Sequence, residues 1–389
     1  MKNRFLLLSV SSLLLVACQP KTGKQTQPSD SSTIEMKTKL LKIEVADSSA
    51  NDVEEGYTAG VSGAFVGMLD GKIIQAGGCN FPVDPLAPDS KKKFYEGIYE
   101  IEVTSDSTWT PIRIGTLPEP IAYGQAATVP DGLVLVGGSD ASDSFSSVYL
   151  LKMTNKGTEL TQLPFLPGKL DNFAITSIGA VIYTAGGNFN GQPSKKVFKL
   201  EPASEVWEEL PEFPGNPRVQ PVLAHGKDET GSESIYLWGG FAGKGENREA
   251  SLNSDGLKFN LANKMWTQIS SPKNEEGQEI STGGGCAAIL DDGKIAVTGG
   301  VNKDIFLSAL QHQPEDYLTH PVGWYRFNPH LLIFNPRTEK WKITLTTENL
   351  ARAGAGMVVK NNQLIVSGGE LKPRIRTANI FTIEMKVSK

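Results

Sequence analysis

A glutamate and an arginine six residues apart are the side chains of this sequence best suited to chemistry. Glu370 follows directly on Gly368-Gly369, and Arg376 comes after a turn that contains Pro373. A residue in that place is expected on a loop at a strand end, where side chains converge. Carboxylates carry protons in general acid–base catalysis, and the planar guanidinium of arginine suits carboxylate ligands. The alternative is a solvated glutamate and an arginine paired with a surface acid.

The composition limits what such chemistry can act on. The chain has 389 residues, of which 39% are hydrophobic and 21% are charged, so it is expected to fold around a sizeable core. Its 38 basic residues do not exceed its 43 acidic residues, so we predict no nucleic-acid partner. Three cysteines and four histidines in no standard zinc spacing predict neither a metal site nor a cofactor.

A short β-rich run that ends in two glycines recurs along the chain at intervals of roughly 50 to 70 residues. The six pairs are Gly77-Gly78, Gly137-Gly138, Gly186-Gly187, Gly239-Gly240, Gly299-Gly300 and Gly368-Gly369. Glycine permits a positive φ and close approach where a strand leaves a crowded interior. A later run in several units carries a tryptophan, at Trp109, Trp207, Trp266 and Trp341. This pattern resembles the kelch repeat and predicts an all-β fold, a six-bladed β-propeller.

The sixth unit has too few strands to complete a blade. After Gly369 only the run from Asn379 to Met385 has strand character. The run from Lys39 to Val45, just before the first unit, also has strand character. We therefore predict that this N-terminal strand joins the last blade and closes the ring, with the propeller spanning residues 39–389.

The N-terminal residues predict export. Two basic residues precede an apolar run from Phe5 to Val16, which is typical of a signal peptide and shorter than the roughly 20 residues that span a bilayer. The run ends in Leu15-Val16-Ala17-Cys18, which resembles a bacterial lipobox, so residues 1–18 are predicted to be a lipoprotein signal with Cys18 lipidated. An ordinary cleaved signal peptide is the alternative. Residues 19–38 are predicted to form a flexible polar tether. We expect a periplasmic protein that touches the outer membrane only through its lipid.

Two loops carry a more specific resemblance. After the fifth glycine pair the chain reads Val301-Asn302-Lys303-Asp304-Ile305-Phe306, and after the sixth it reads Glu370-Leu371-Lys372-Pro373-Arg374-Ile375-Arg376-Thr377. Together they resemble the N-acetylneuraminate epimerase (sialic acid mutarotase) family, which has similar G-G-V-N-x-x-I-F and G-E-x-K-P-x-x-R-T segments. Segments similar to the family's C-terminal blades come first here, which indicates a cyclically permuted member. A ring of similar blades tolerates permutation because the same neighbours remain in contact.

The resemblance implies a mutarotase that interconverts the α and β anomers of free N-acetylneuraminic acid by opening and reclosing the sugar ring. Glu370 would carry the protons, and Arg376 would bind the substrate carboxylate. The segment Pro217-Arg218-Val219-Gln220 is similar to a P-R-x-Q segment of the family. Further substrate contacts are expected at Arg218, Gln220, Asn302, Asn80 and Tyr123.

Other functions stay open at this point. One is a lipid-anchored propeller that binds carbohydrate or protein without turnover, and another is mutarotation of a different sugar acid or a hexose. A copper oxidase of the galactose oxidase type is disfavoured, because neither Cys79 nor Cys286 has a readable set of tyrosine and histidine partners. A monomer and a homodimer are both compatible with the sequence.

Overall fold

The structure, a computed structural model, describes residues 34–44, 52–155, 157–201 and 203–387. Its main strands form six antiparallel four-stranded units, numbered here as blades 1 to 6. Blade 1 contains Phe65–Leu69, Lys72–Ala76, Gly97–Val103 and Thr108–Thr116; blade 2 contains Gln125–Val129, Gly132–Val136, Val148–Thr154 and Gly157–Gln162; blade 3 contains Ala174–Ile178, Val181–Ala185, Val197–Leu200 and Glu208–Leu210. Blade 4 contains Val222–Lys227, Glu233–Trp238, Gly256–Asn260 and Met265–Ile269; blade 5 contains Cys286–Ile289, Ile295–Thr298, His330–Asn335 and Lys340–Thr346; blade 6 contains Gly356–Lys360, Gln363–Ser367, Ile380–Val387 and Ile34–Ile43.

The blades close into a ring. The first strand of each blade contacts the first strand of the next blade, and that of blade 6 contacts that of blade 1. The first strands therefore surround a central axis, and the fourth strands lie at the outer edge. The all-β propeller predicted from the sequence is confirmed, and each glycine pair belongs to one four-stranded unit.

The N-terminal strand Ile34–Ile43 is the fourth strand of blade 6, as predicted. It runs antiparallel to Ile380–Val387 over eight residue pairs, and its end pairs in parallel with Thr108–Thr116 of blade 1. The strand begins earlier than expected, so residues 34–38 belong to the propeller and not to a tether. A solvent-facing outer strand is as polar as a tether, which is why composition misplaced this boundary. The predicted signal peptide and Cys18 lie outside the described residues.

Short strands and helices lie in the connections between main strands. Some connect the second and third strands of one blade, and others connect one blade to the next. The short strands are Cys79–Asn80, Lys93–Phe94, Leu170–Asp171, Asn188–Phe189, Gln192–Pro193, Phe241–Ala242, Ser251–Leu252, Glu370–Lys372 and Ile375–Arg376. The α-helix is Lys303–Gln311, and the 3₁₀-helices are Tyr57–Ala59, Val322–Tyr325 and Glu348–Leu350. None of the helices in the described ranges is long and apolar enough to cross a membrane.

The second strand of each blade is deeply buried. Every residue of Gly132–Val136 and of Ile295–Thr298 is buried. Both faces of a blade pack on the neighbouring blades, so a central strand needs apolar residues at consecutive positions. This packing explains the uninterrupted apolar runs before the glycine pairs.

The glycine pairs join neighbouring blades. Both residues of all six pairs have φ between 54° and 109°. A Cβ on Gly299 would lie only 2.4 Å from the carbonyl oxygen of Arg352 in the connection to the next blade. The backbone N–H of Gly300 donates to that same oxygen at 2.9 Å. The pairs are therefore glycines for two reasons, which are the left-handed backbone and the close approach of the next blade.

A closed ring of backbone hydrogen bonds surrounds the axis, just before the first strands. Its members, called the axial ring here, are Gly63, Tyr123, Asn172, Gln220, Gly284 and Gly354. Each of them has φ between 48° and 78°. The N–H of each residue donates to the carbonyl of the ring residue of the preceding blade, at 2.6 to 2.9 Å, and Gly63 completes the circle by donating to Gly354. The ring fixes six chain segments around one opening.

We predict that Gly299→Ala lowers the free energy of unfolding by about 2–4 kcal/mol, because the new Cβ meets a backbone oxygen in addition to the left-handed strain. Gly293→Ala is the matched control, since Gly293 has φ 79° and nothing lies within 4 Å of its added Cβ. In the control, the free energy of unfolding is expected to fall by about 1 kcal/mol. Urea unfolding of both variants measures the difference, and equal losses would contradict the close-approach argument.

Candidate active site

One position of every blade is brought to the mouth of the axial ring. The first two strands of a blade are antiparallel, so the end of the second lies beside the start of the first. The residue after each glycine pair therefore contacts the residue just before the ring member, as Glu370 does with Ala353. The six equivalent residues are Cys79, Ser139, Asn188, Phe241, Val301 and Glu370. Glu370 alone among them is an acid.

Glu370 and Arg376 face each other across a small hairpin. The strand Glu370–Lys372 pairs with Ile375–Arg376, and Arg374 makes the turn with φ 71°. Arg376 Nη1 lies 2.5 Å from Glu370 Oε1, and the backbone N–H of Arg374 donates to the same oxygen at 2.7 Å. The Arg376 side chain is 4% exposed, whereas that of Glu370 is 25% exposed. The carboxylate is thus held through one oxygen and stays accessible.

Three cations converge on the ring of Phe81, in the connection that follows the first glycine pair. The guanidinium carbons of Arg374 and Arg376 lie 5.3 Å and 5.7 Å from the ring centroid, and Lys92 Nζ lies 5.8 Å from it. Glu370 is the acid that pairs with this group. The surplus of positive charge favours an anionic ligand beside the carboxylate.

Tyr123 connects this group to the axial ring. Its hydroxyl accepts hydrogen bonds from Lys92 Nζ at 3.0 Å and from the thiol of Cys79 at 3.2 Å. Burial raises the pKa of Tyr123 well above its ordinary value, Cys79 raises it further, and the charge of Arg376 opposes the shift. The phenol is therefore neutral at physiological pH, and its own proton is left to donate.

Gln220 lies at the same mouth as a member of the axial ring. It lines a cavity of about 130 Å³ on the axis together with Tyr123 and Asn172. The structure thus brings four of the predicted site residues, Glu370, Arg376, Tyr123 and Gln220, to one end of the propeller.

Arg218, a predicted substrate contact, is not at this mouth. Its guanidinium is fully buried and donates to both carboxylate oxygens of Asp255, at 2.8 and 3.1 Å, and to the carbonyl of Gly239 at 3.1 Å. These partners leave it no free face for a ligand. The prediction for Arg218 is corrected, and the residue holds blade 4 together.

Asn80 also serves the fold. It is 1% exposed, it donates to the carbonyls of Gly56 and Gly60, and it accepts from the Tyr95 hydroxyl at 2.8 Å. All of these partners are protein groups, so its predicted place at the rim is wrong.

Asn302 caps a helix. Its Oδ1 accepts from the backbone N–H groups of Asp304 and Ile305, both at 3.1 Å, at the start of Lys303–Gln311. Its carbonyl oxygen is therefore occupied by the helix and not by a substrate.

The sequence reasoning missed several residues of the site. Lys372 is buried and donates to the carbonyls of Leu318 and His320, which holds the long connection of blade 5 against the hairpin. Phe81 and Lys92 were missed because they follow the first glycine pair, far in sequence from Arg376. Only closure of the ring brings blades 1 and 6 together. The loop sequence after Gly77-Gly78 was the available signal, but spacing alone does not reveal its neighbour.

No group of three or more histidine, cysteine, aspartate or glutamate side chains in the described part of the chain is arranged to hold a metal ion. Cys79 and Cys286 are free thiols.

Comparison with known proteins gives a family match. Residues 163–389 match the family model described as N-acetylneuraminate epimerase. Relatives with that name include one of Haemophilus influenzae (strain PittEE), 29% identical over 224 residues, and one of Pasteurella multocida (strain Pm70), 29% identical over 246 residues. The alignments cover 55% and 59% of this chain and 57% and 60% of those relatives, so the chain spans less than two thirds of their length.

A solved structure also matches the fold. The "Structure of YjhT" aligns with a TM-score of 0.58 and 12% sequence identity, and the alignment covers 85% of this chain and 98% of that one. At this identity the likeness shows the propeller fold alone.

The role assigned to Arg218 is testable. Asp255→Asn leaves a fully buried guanidinium without its counter-charge and is expected to lower the free energy of unfolding by about 2–4 kcal/mol. Arg218→Met is expected to lower the free energy of unfolding by less than Asp255→Asn does. The side chain of Asp255 is 30% exposed, so water can solvate its charge when the guanidinium is gone. Denaturant unfolding of both variants tests the order. A normal stability for Asp255→Asn, with lost sugar binding, would return Arg218 to the ligand site.

Proposed function

We propose that this chain, which belongs to the N-acetylneuraminate epimerase family, is a mutarotase that interconverts the α and β anomers of free N-acetylneuraminic acid. The observation that carries the proposal is the Glu370–Arg376 pair at the mouth of the axial ring. A proton-carrying group and an anion-binding group lie side by side there, with Nη1 and Oε1 2.5 Å apart. In the substrate the carboxylate is bonded to the anomeric carbon. The site must therefore bind the carboxylate and transfer the proton of the anomeric hydroxyl within a small space.

The reaction needs proton transfer and rotation about one bond. A base removes the proton of the anomeric hydroxyl, the bond from the anomeric carbon to the ring oxygen breaks, and the ring oxygen takes up a proton. Rotation about the neighbouring carbon–carbon bond turns the other face of the new ketone toward the ring hydroxyl. Reclosure then forms the other anomer, with no net change in protons. Glu370 takes the proton and returns it.

The cations position the substrate. Arg376 Nε and Nη1 are buried and have no hydrogen-bond partner among the described residues, so only the ion pair with Glu370 offsets the charge of the guanidinium. That charge attracts a substrate carboxylate to the mouth. Arg374 donates to the carbonyl of Ala87 at 2.9 Å, which holds the blade 1 connection in place but leaves its charge near the site. Lys92 adds positive charge near the same ring, with Nζ 5.8 Å from the centroid of Phe81.

Tyr123 supports the same reaction as a neutral donor. Two donors, Lys92 and Cys79, point at its oxygen, so its proton is directed away from them. We assign it a hydrogen bond to the substrate at the axial mouth.

Glu370→Gln tests the catalytic assignment. The amide cannot accept and return a proton, so anomer exchange above the spontaneous rate is expected to fall by about 100-fold or more. One-dimensional proton NMR of fresh sialic acid at limiting enzyme measures the rate. The matched control is Glu348→Gln, an exposed glutamate outside the site, which keeps the wild-type rate. Full activity of Glu370→Gln would refute the catalytic role of Glu370. A wild-type protein that does not accelerate exchange would support the alternative, a propeller that binds sugar without turnover.

We also propose that the protein is exported and held at the outer membrane by a lipid on Cys18. The proposal is supported by the sequence of the N-terminal residues. Cys18→Ser is expected to move the protein from the membrane fraction to the soluble periplasmic fraction while the propeller still folds. Fractionation with immunoblotting measures the change, and a soluble wild-type protein would support an ordinary cleaved signal instead.

A further inference from the structure

We propose that Gln220 recognises the acetamido group of the substrate and that Asp171 and Asn172 fix the direction of its amide. The inference rests on the proposed function, because it assigns substrate specificity within the same site. It is carried by a chain of side-chain hydrogen bonds that crosses blades 3 and 4 and ends at the axial ring.

The chain of bonds starts at a buried carboxylate. Asp171 is 5% exposed, and no lysine or arginine within the described ranges forms an ion pair with it. Its oxygens accept instead from three neutral donors, which are Ser144 Oγ at 2.5 Å, Asn172 Nδ2 at 2.6 Å and Asn188 Nδ2 at 2.8 Å. These donors compensate the burial of the charge.

The carboxylate sets the direction of two amides. A carboxylate only accepts hydrogen bonds, so Asn172 must turn its NH₂ group toward Asp171. The carbonyl of Asn172 then faces Gln220, whose Nε2 donates to it at 2.6 Å. Gln220 Oε1 is left pointing the other way, and it has no hydrogen-bond partner among the residues that the structure describes. The chain of hydrogen bonds thus ends in an acceptor, Gln220 Oε1, whose direction is fixed.

This free acceptor faces the side of the mouth that carries Glu370. Gln220 Oε1 lies 3.2 Å from the position that a Cβ on Gly284 would take, and Ala353 Cβ lies 3.3 Å from the same position. Ala353 in turn exchanges two backbone hydrogen bonds with Glu370. The acceptor and the strand of the catalytic glutamate therefore border one small space.

The axial ring leaves that space open. Its members on blades 5, 6 and 1 are the glycines Gly284, Gly354 and Gly63, whereas blades 2, 3 and 4 contribute Tyr123, Asn172 and Gln220. The ring members of one half have no side chains, and polar side chains of the ring members wall the other half. A ligand held by Arg376 on blade 6 would turn its far side toward blades 3 and 4.

The chemistry of the substrate fits this arrangement. In N-acetylneuraminic acid the carboxylate and the acetamido nitrogen stand on opposite corners of the sugar ring. The acetamido N–H is a donor that cannot accept, so an acceptor of fixed direction is its complement. A substituent with no N–H or O–H at that corner would leave Gln220 Oε1 without a partner.

The test compares N-acetylneuraminic acid with an analogue in which an azide replaces the acetamido group. Gln220→Gly removes the acceptor, and Asn172→Gly frees the Gln220 amide to rotate. Both variants are expected to fold, because φ at these positions is 48° and 53° and glycine occupies three equivalent ring positions. Asn361→Gly is the matched control, since Asn361 also has a left-handed φ, at 52°, and it lies exposed in the turn between Gly356–Lys360 and Gln363–Ser367, at the end of blade 6 opposite to the axial ring.

Calorimetry measures affinity for both sugars, and NMR measures anomer exchange. We expect the wild-type preference for the acetamido sugar to fall by about two- to tenfold in Gln220→Gly and to a smaller extent in Asn172→Gly, with no change in Asn361→Gly. Equal losses for both sugars, or an Asn172→Gly variant that behaves like the control, would overturn the inference. Absence of exchange in the wild type with the affinity preference intact would instead reject the proposed function and leave this recognition standing.

Discussion

Six backbone hydrogen bonds around the propeller axis set the conditions for everything at the site. Each bond requires a residue with left-handed φ, which glycine adopts freely and other residues adopt at a cost of about 1–2 kcal/mol. Three ring members are not glycines and adopt this strained conformation, namely Tyr123, Asn172 and Gln220. These are the members whose polar side chains reach the mouth. Strained backbone is therefore found where polar side chains reach the mouth, and glycine is found where the ring members must leave the opening free.

The site is built from parts of the chain that are far apart in sequence. Phe81 and Lys92 come from blade 1, and Glu370 and Arg376 come from blade 6. These blades are neighbours because the N-terminal strand pairs with both of them, antiparallel with Ile380–Val387 and in parallel with Thr108–Thr116. The cluster of positive charge beside the carboxylate thus depends on closure of the ring.

The sequence predicted the repeating elements well and the polar contacts unevenly. Glycine pairs and apolar runs are local signals of blade structure, so the propeller and its closing strand could be predicted. Glu370 and Arg376 could be found because they share one short loop. Arg218 could not be assigned, because its partner Asp255 lies in a different strand connection and spacing says nothing of such pairs. Asn302 did carry a readable signal, since an asparagine before a helix is a common N-cap. The cyclic permutation stays a prediction.

The closing strand also bears on how the molecule is made. Ile34–Ile43 is synthesised before the other described strands of the propeller, and its antiparallel partner Ile380–Val387 is synthesised after them. Until then, the edge of the nascent sheet has no cover, and the long loop between the two strands must still be closed at an entropic cost. The final blade is therefore assembled only after translation of the chain to its last strand. Until that strand is in place, the unpaired edges of blades 1 and 6 are open to pairing with other chains.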